Sequence, residues 1–576
     1  MKTRNEPAAL SAKTLRAAFY AHNHGAYALS VLATALTQAL MLGISWILME
    51  MINAISGEAG AKSLENLALM IAFYLLLFTL VSLLSRAVQP RFLRTAMEQY
   101  KNLVLQKLMG KSLASFQREP TSAYLSALSN DAAVIERDYL EAEFQIIGNL
   151  LDFCGAFLLM LYLSPVLTAV VAVLTVLPMA ASMGVGRRLE PLERQVSEDN
   201  TSFTAALKDC LSGFPVVKSF RSEGEFLRLL SDRNGALEEK KRQKRRLRLS
   251  VSTVSIVAGL LAQFGVFFAG VWMVQSGRNI TVGTVIAFVN LMNFIVTPIS
   301  ELPGLLTARC AALGLLEKMA ALLRRNSDRG GRAVPARLTQ GIRAEHLTFG
   351  YEPGRKVLHD VSFTFEAGKR YAIVGSSGCG KSTLLHLLRG GAADYQGSIT
   401  YDGVEGRDIS NASLSDLVAS IQQDVFVFNA TLRDNVTMFR DFPDEEVADA
   451  LHMANLTDLA AARGEGCLCG EGGAELSGGE RQRIAIARSL LRRASVLLVD
   501  EATAALDAET AYQVSSDLLN LPDVTRIVVT HALEKALLLR YDQILVMKDG
   551  AVVETGTFDT LMAQKGLFYA LYTVAQ

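Results

Sequence analysis

Cysteine is scarce in this chain. Six stand in 576 residues, at positions 154, 210, 310, 379, 467 and 469, without the spacing of a disulfide framework. A chain this long does not need disulfides to fold, and free thiols suit a reducing cytosol for the C-terminal half. Cys467-Leu468-Cys469 lacks the second cysteine pair or the histidines that a zinc site wants, and it reads as structural. Net charge is missing too: 57 Lys and Arg balance 57 Asp and Glu, so bulk charge gives no reason to expect a nucleic-acid partner. Internal repeats and low-complexity tracts are absent, which excludes repeat architectures. A cleaved signal is not expected either. Residues 1–25 are polar and basic, and the apolar segment after them is too long for a signal h-region.

What the chain has is apolar length. Half of it is hydrophobic, and its mean hydropathy is +0.26, high for a soluble protein. A helix needs about 20 mostly apolar residues to cross a bilayer. Six windows qualify, near 26–49, 66–88, 144–163, 165–186, 251–275 and 283–306. Only Ser164-Pro165 separates the third from the fourth, which predicts a tight turn. Lysine and arginine set the orientation. Arg91, Arg94, Lys101, Lys107, Lys111, Arg118 and Arg137 lie between spans two and three, and the run 240–246 closes the segment between spans four and five. The other connections are short and nearly free of positive charge. Both termini and the two long loops are therefore expected in the cytosol. Those loops keep helical periodicity, with Leu103, Leu105, Leu108, Phe203, Leu207 and Leu211 on apolar faces, so the spans are expected to continue as helices beyond the membrane.

Composition changes after the sixth window. A linker is expected over 324–340, between a membrane domain at 1–323 and a second domain at 341–576. There, short greasy runs such as 371–374, 496–499 and 527–529 alternate with helical segments. Apolar runs this short fit buried parallel strands of an α/β domain.

Gly375-Ser376-Ser377-Gly378-Cys379-Gly380-Lys381-Ser382-Thr383 follows one such strand and opens a helix. Glycines let backbone N–H groups wrap phosphate oxygens, and the helix N-terminus adds its dipole. Lys381 suits the β- and γ-phosphates of ATP, and Ser382 suits Mg²⁺. The strand 496–499 runs into Asp500 and Glu501. Two carboxylates at a buried strand tip fit one metal ligand, Asp500, and one residue able to deprotonate water, Glu501. A third stretch, LSGGERQR at 476–483, holds no base, nucleophile or ligand cluster. It offers N–H groups and a hydroxyl, as a phosphate site does, although a phosphate loop already exists upstream.

These motifs resemble the ATP-binding-cassette transporters, and the resemblance accounts for LSGGE at 476–480. In that family two cassettes dimerise head to tail, and the signature of one chain covers the ATP held by the other. Ser477, Gly478, Gly479 and Glu480 would thus serve the partner's nucleotide. The resemblance carries further positions. Tyr351 matches the aromatic that stacks on adenine. Gln423, with Gln422 as its neighbouring alternative, matches a glutamine that contacts Mg²⁺. Asp507 fits the loop crossing the dimer interface, and His531 matches the histidine that contacts the γ-phosphate. Residues 470–473 resemble the loop before the signature, and 213–220 and 129–131 resemble coupling segments of the six-helix exporter type.

Two departures stand out: Ala504 where serine is common, and Ser122 where glycine is common. Some importers of metal chelates with this fold share the alanine. No peptidase-like domain precedes the spans, so leader-peptide cleavage is not expected.

The resemblance implies an all-α, six-helix exporter-type membrane domain followed by an α/β P-loop ATPase. It also implies a second half-transporter chain, identical or not, and a cell-membrane location. The leading expectation is export of an amphipathic small molecule, lipid or peptide. Uptake of a metal chelate and an ATP-gated channel or receptor are the rivals. Asp152 and Glu301 fall in or beside the spans, and at least one is expected to line the translocation cavity.

Overall fold

The computed structural model describes residues 11–575, leaving out 59–61, 112–114, 117–118, 120, 279, 325–330, 353, 393, 423–424 and 502–505. Side chains of 177–190, 193–194, 251–252, 255 and 575 are likewise outside the description. The chain divides into two compact units, Met1–Leu108 with Thr121–Arg324, and Arg325–Gln576 with Met109–Pro120.

The first unit is helical. Its main helices are α1 (Ala12–Tyr20), α2 (His24–Ile55), α3 (Leu64–Met109), α4 (Ala142–Leu163), α5 (Pro165–Ser212), α6 (Phe214–Ser219), α7 (Glu223–Gln275), α8 (Val282–Leu291) and α9 (Asn293–Arg324). Between α3 and α4 the chain alternates short α-helical and π-helical stretches, the latter at Ala127–Asp131 and Glu136–Glu141. The turn at Ser164-Pro165 has a local cause. Ser164 is extended, its hydroxyl accepts from the Leu167 N–H, and Pro165 opens α5 with its ring already at a helical φ. Helices α5 and α7 hold 48 and 53 residues. At about 1.5 Å per residue they reach roughly 70–80 Å, far beyond a hydrocarbon core of about 30 Å. The long loops expected from charge are thus continuations of the spans.

Five helical segments among the described residues are long and apolar enough to cross a membrane: His24–Ile55, Leu64–Met109, Thr121–Leu163, Ile256–Gln275 and Val282–Arg324. The sixth expected span falls in α5. Its described apolar part is Pro165–Val176, and the side chains that would complete it lie outside the description.

Two apolar clusters hold this unit. Phe19, Phe92, Tyr100, Tyr139 and Phe144 form an aromatic core with residues of α9. Met160, Val266 and Phe288 centre the other. Glu143 ties the N-terminal helices to α4, because Tyr20 and Tyr27 each donate a hydroxyl to it at 2.7 Å. The Arg309 guanidinium stands 3.7 Å away.

The second unit is α/β. One sheet is antiparallel, in the order β2 (Leu358–Glu366), β1 (Gly341–Phe349), β4 (Gln396–Tyr401), β5 (Val404–Glu405). The other has the order β10 (Ala551–Gly556), β9 (Gln543–Lys548), β3 (Arg370–Gly375), β8 (Thr525–Val529), β7 (Val496–Asp500), β6 (Val418–Ile421). All its pairings are parallel except β10 with β9. Strands β3 and β7 are buried almost throughout, as strands covered on both faces must be. Within the expected linker, Arg332 is already engaged. Its N–H donates to Asp408 O at 2.6 Å, and its own carbonyl accepts from the Ser410 N–H at 3.0 Å.

Candidate nucleotide site

In an open parallel sheet, ligands bind beyond the carboxyl ends of the strands. Here β3, β8 and β7 are neighbours, and Ile373, Val529 and Asp500 share one row across them. Three loops leave that row side by side. They carry Gly375–Thr383, Asp500-Glu501 and His531.

After β3 the chain turns tightly into α10 (Lys381–Leu388). Gly378 and Gly380 take φ of +79° and +103°, values a side chain strains to adopt. A Cβ on Gly380 would also come within 2.8 Å of Leu358. Cys379, between them, is buried and forms part of the core. Lys381 is 5% exposed, and its ammonium donates to the carbonyls of Gly375 (2.9 Å) and Ser376 (3.0 Å). The charge is thereby fixed inside the loop, and its three donors make it a natural partner for a phosphate oxygen.

Ser382 Oγ donates to Asp500 Oδ1 at 3.1 Å. Burial pushes the Asp500 carboxyl above its ordinary value, and the negative charge of Glu501 adds to that. The Ser382 hydrogen bond and the cations Lys381 and Arg389 only partly offset it. A hydroxyl and a carboxylate meeting in a half-buried position are the hard oxygen donors that Mg²⁺ takes, so this pair fits the ion. Glu501 is held in the left-handed region at φ +48°, with its N–H donating to Val529 O at 3.2 Å. Backbone strain at a non-glycine residue collects at functional positions. His531 Nε2 lies 2.8 Å from Glu501 Oε1, so the two residues form one unit.

Tyr351 is 62% exposed and packs edge-on against Phe349, with ring centroids 5.1 Å apart. Tyr351 and Asp500 both line a cleft of ≈ 250 Å³ whose lining also includes Ser382, His386, Arg389 and Gln422. Sequence reasoning passed over His386 and Arg389. Arg389 Nη2 lies 3.2 Å from His386 Nδ1, and the Arg389 Nε is buried with no partner. Burial, aided by the Arg389 charge, holds the His386 pKa below the usual histidine value. Their spacing was a usable signal. Positions 382, 386 and 389 are i, i+4 and i+7 of one helix face, so whatever side Ser382 presents, they present too.

None of the cleft's described lining comes from the signature segment. That segment opens α11 (Gly478–Leu491) with a capping box. The Glu480 N–H donates to Ser477 Oγ at 3.2 Å, and the Ser477 N–H donates to Glu480 Oε2 at 2.7 Å. Burial works against ionising Glu480, but the Ser477 hydrogen bonds outweigh it and hold the carboxyl below its ordinary value. Gly478 and Gly479 fill the first turn. Asp507 caps α12 (Ala508–Asn520) by accepting from the Thr510 N–H at 3.0 Å, and this bond lowers its pKa. Gln423, Ala504 and Ala505 lie outside the described residues.

Known proteins agree with this architecture. The family model for the ABC transporter transmembrane region matches residues 27–299, and the ABC transporter family model matches 358–504. An ATP-dependent lipid A-core flippase of Burkholderia pseudomallei is 30% identical over 492 residues, 82% of this chain and 80% of its own length. Its Salmonella typhimurium counterpart is 29% identical over 478 residues, 81% of each chain. An uncharacterized ABC transporter ATP-binding protein of Bacillus subtilis is 28% identical over 475 residues, covering 81% of this chain and 82% of its own. In fold, the chain is similar to a bacterial Atm1-family ABC exporter solved with ATP bound. The TM-score is 0.82 at 23% identity, over 96% of this chain and 98% of that one. With the phosphate loop, the paired carboxylates and the helical membrane unit in one polypeptide, this chain belongs to the ATP-binding-cassette transporters, as a dimer-forming, multi-pass half-transporter of the exporter type that binds and hydrolyses ATP to drive transport.

Proposed function

We propose that two such chains, identical or paired with a close relative, export an amphipathic compound across the cell membrane, with both termini and the ATPase domains in the cytosol. The observation that carries the reading is the meeting of Lys381, Asp500 and the Glu501–His531 pair at the ends of three adjacent strands.

Tyr351 stacks on the adenine, and the loop Gly375–Thr383 wraps the phosphates with its N–H groups. Ser382 and Asp500 would hold Mg²⁺, with Gln423 as the further ligand the family resemblance implies, and the ion would neutralise charge on the phosphate oxygens. Glu501 takes a proton from the attacking water. His531 holds the Glu501 carboxylate in place and reaches the γ-phosphate when nucleotide is present. Ser477 and the N–H groups of Gly478 and Gly479 close over the nucleotide of the partner chain, and Asp507 lies along that interface. ATP binding stabilises the closed pair of cassettes and so biases the membrane helices toward the outward-facing state.

An intact Glu501–His531 pair supports a cycling pump over an ATP-gated channel. The flippase relatives support export over uptake of a metal chelate. The direct experiment is ATP-dependent accumulation of candidate compounds in inside-out vesicles containing the full-length protein. Accumulation that requires ATP and stops in Glu501→Gln is expected. Uptake only into right-side-out vesicles would reverse the direction.

A further inference from the structure

Helices α2, α3, α4 and α9 border a cavity of ≈ 620 Å³ inside the membrane unit. That volume falls in the range of small-molecule sites, about 300–1,000 Å³. Its wall differs from the apolar surfaces around it. Glu141, Asp152 and Glu301 all line it, with carboxamides including those of Gln38, Gln89 and Asn149. Among the described residues that line it there is no Lys, Arg or His.

The hydrogen bonds that Asp152 and Glu301 accept leave their charge uncompensated. Gln38 Nε2 donates to Asp152 Oδ2 at 3.1 Å, while Asp152 Oδ1 is buried and has no partner. Asn149 Nδ2 approaches Glu301 Oε2 at 3.5 Å. Both donors are neutral amides. They orient the carboxylates without offsetting them. Glu141 ends the π-helical stretch Glu136–Glu141, a break in helical register that recurs where a side chain must be re-aimed at a functional site. Ionisable side chains on spanning helices are costly, and they persist where they face a wet cavity or an opposite charge. Here the cavity holds the carboxylates, and the cation beside Glu141, Arg137, is not among the described residues that line it.

We propose that this cavity is a binding site for the transported compound and that it takes a ligand carrying a cationic amine. The inference rests on the transport reading above and narrows its substrate class. An ammonium group offers three donors, matching an acceptor such as Asp152 Oδ1 that has none, and the surrounding amides complete its hydrogen bonds. A phosphate-bearing headgroup meets three like charges in the same space and is rejected.

The test uses the purified full-length dimer in lipid nanodiscs without nucleotide. The probe is dansylcadaverine, a fluorescent primary amine, compared with its neutral N-acetyl derivative by fluorescence anisotropy. The amine is expected to bind, and the N-acetyl derivative to bind at least about tenfold more weakly. The isosteric variants Asp152→Asn and Glu301→Gln are expected each to weaken amine binding, and together to lower it to the level of the acetylated probe. Glu225→Gln, on the exposed part of α7 far along the chain from the cavity lining, removes the same charge and is expected to bind as the parent protein does. Equal binding of the two probes, no binding of the amine, or unchanged affinity in the double variant overturns the proposal. The comparison of probes in the parent protein stands even where a variant folds poorly. Failure of the transport reading shows separately, as vesicles that accumulate nothing in response to ATP while the amine still binds.

Discussion

In the ATPase unit, the residues proposed to handle nucleotide leave the ends of β3, β7 and β8, three strands hydrogen-bonded side by side. In the membrane unit, the residues around the polar cavity sit on separate helices. Gln38 meets Asp152 across 114 residues, and Asn149 meets Glu301 across 152. The first site is built from backbone: glycine turns, helix N-termini and strand tips impose its geometry and demand particular residues in fixed order. The second is built from isolated side chains, each on a helix that would be a helix without it. The comparison teaches that a site made of backbone turns announces itself in sequence, whereas one made by helix packing does not.

The comparison can be broken most decisively at Glu501. Glu501→Gln keeps the shape and removes the proton acceptor. Steady-state ATP turnover is expected to fall by about 10²–10⁴-fold with ATP binding retained and nucleotide trapped in the dimer. Near-normal turnover would remove Glu501 from the chemistry and leave the strand-end geometry without its central member.

Sharing of the site between chains is the next point of attack. On the proposed reading, Ser477→Arg places a bulky cation where the partner's γ-phosphate would sit. Dimers with Ser477→Arg in one chain and Lys381→Ala in the other keep one undamaged composite site. They are expected to occlude ATP where dimers carrying both changes in every chain do not. If the two preparations occlude equally little, the signature does not act in trans.

The membrane unit answers to long-range side-chain contacts instead. Tyr20→Phe deletes a hydroxyl bonded to Glu143 across 123 residues. A hydrogen bond to a charged group contributes about 1.5–3 kcal/mol, so the thermal-unfolding midpoint of the full chain should drop measurably. An unchanged midpoint would mean that Tyr27 and Arg309 suffice to hold Glu143.

The smallest expected effect concerns the capping box. Glu480→Ala removes the acceptor for the Ser477 N–H and should cost about 0.3–1.5 kcal/mol in cassette stability, whereas Glu480→Gln preserves the box and should cost little. Equal losses in the two variants would show that Glu480 acts through its charge and not through the cap.

Much of the cassette was legible in advance because its chemistry is local. Lys381 and Ser382 follow their glycines directly, and Asp500-Glu501 ends its greasy strand. His386 and Arg389 were equally available through helical periodicity. They were missed because neither belongs to a motif, and only the fold shows that their helix face looks into the cleft. The structure also gives Glu480 a local purpose, closing the cap on Ser477, which the signature pattern does not convey. In the membrane half, apolar windows gave the spans, five of which the described residues show, and the Lys and Arg asymmetry gave an expected orientation. The continuity of α5 and α7 followed from apolar periodicity.

What the sequence determined by itself is therefore the order of elements, the membrane character and the glycine-loop and strand-tip residues proposed to bind phosphate. These depend on hydrophobic period, on turn chemistry and on residues a few positions apart. The tertiary structure alone decided which polar side chains of the membrane helices share a cavity. A helix carries no local sign of which neighbour it will face, so Glu141, Asp152 and Glu301 become one wall only when α2, α3, α4 and α9 pack. It also decided that β8 lies between β3 and β7, which brings His531 to Glu501, because strand order in a parallel sheet is set by how the helices cross over and cover it.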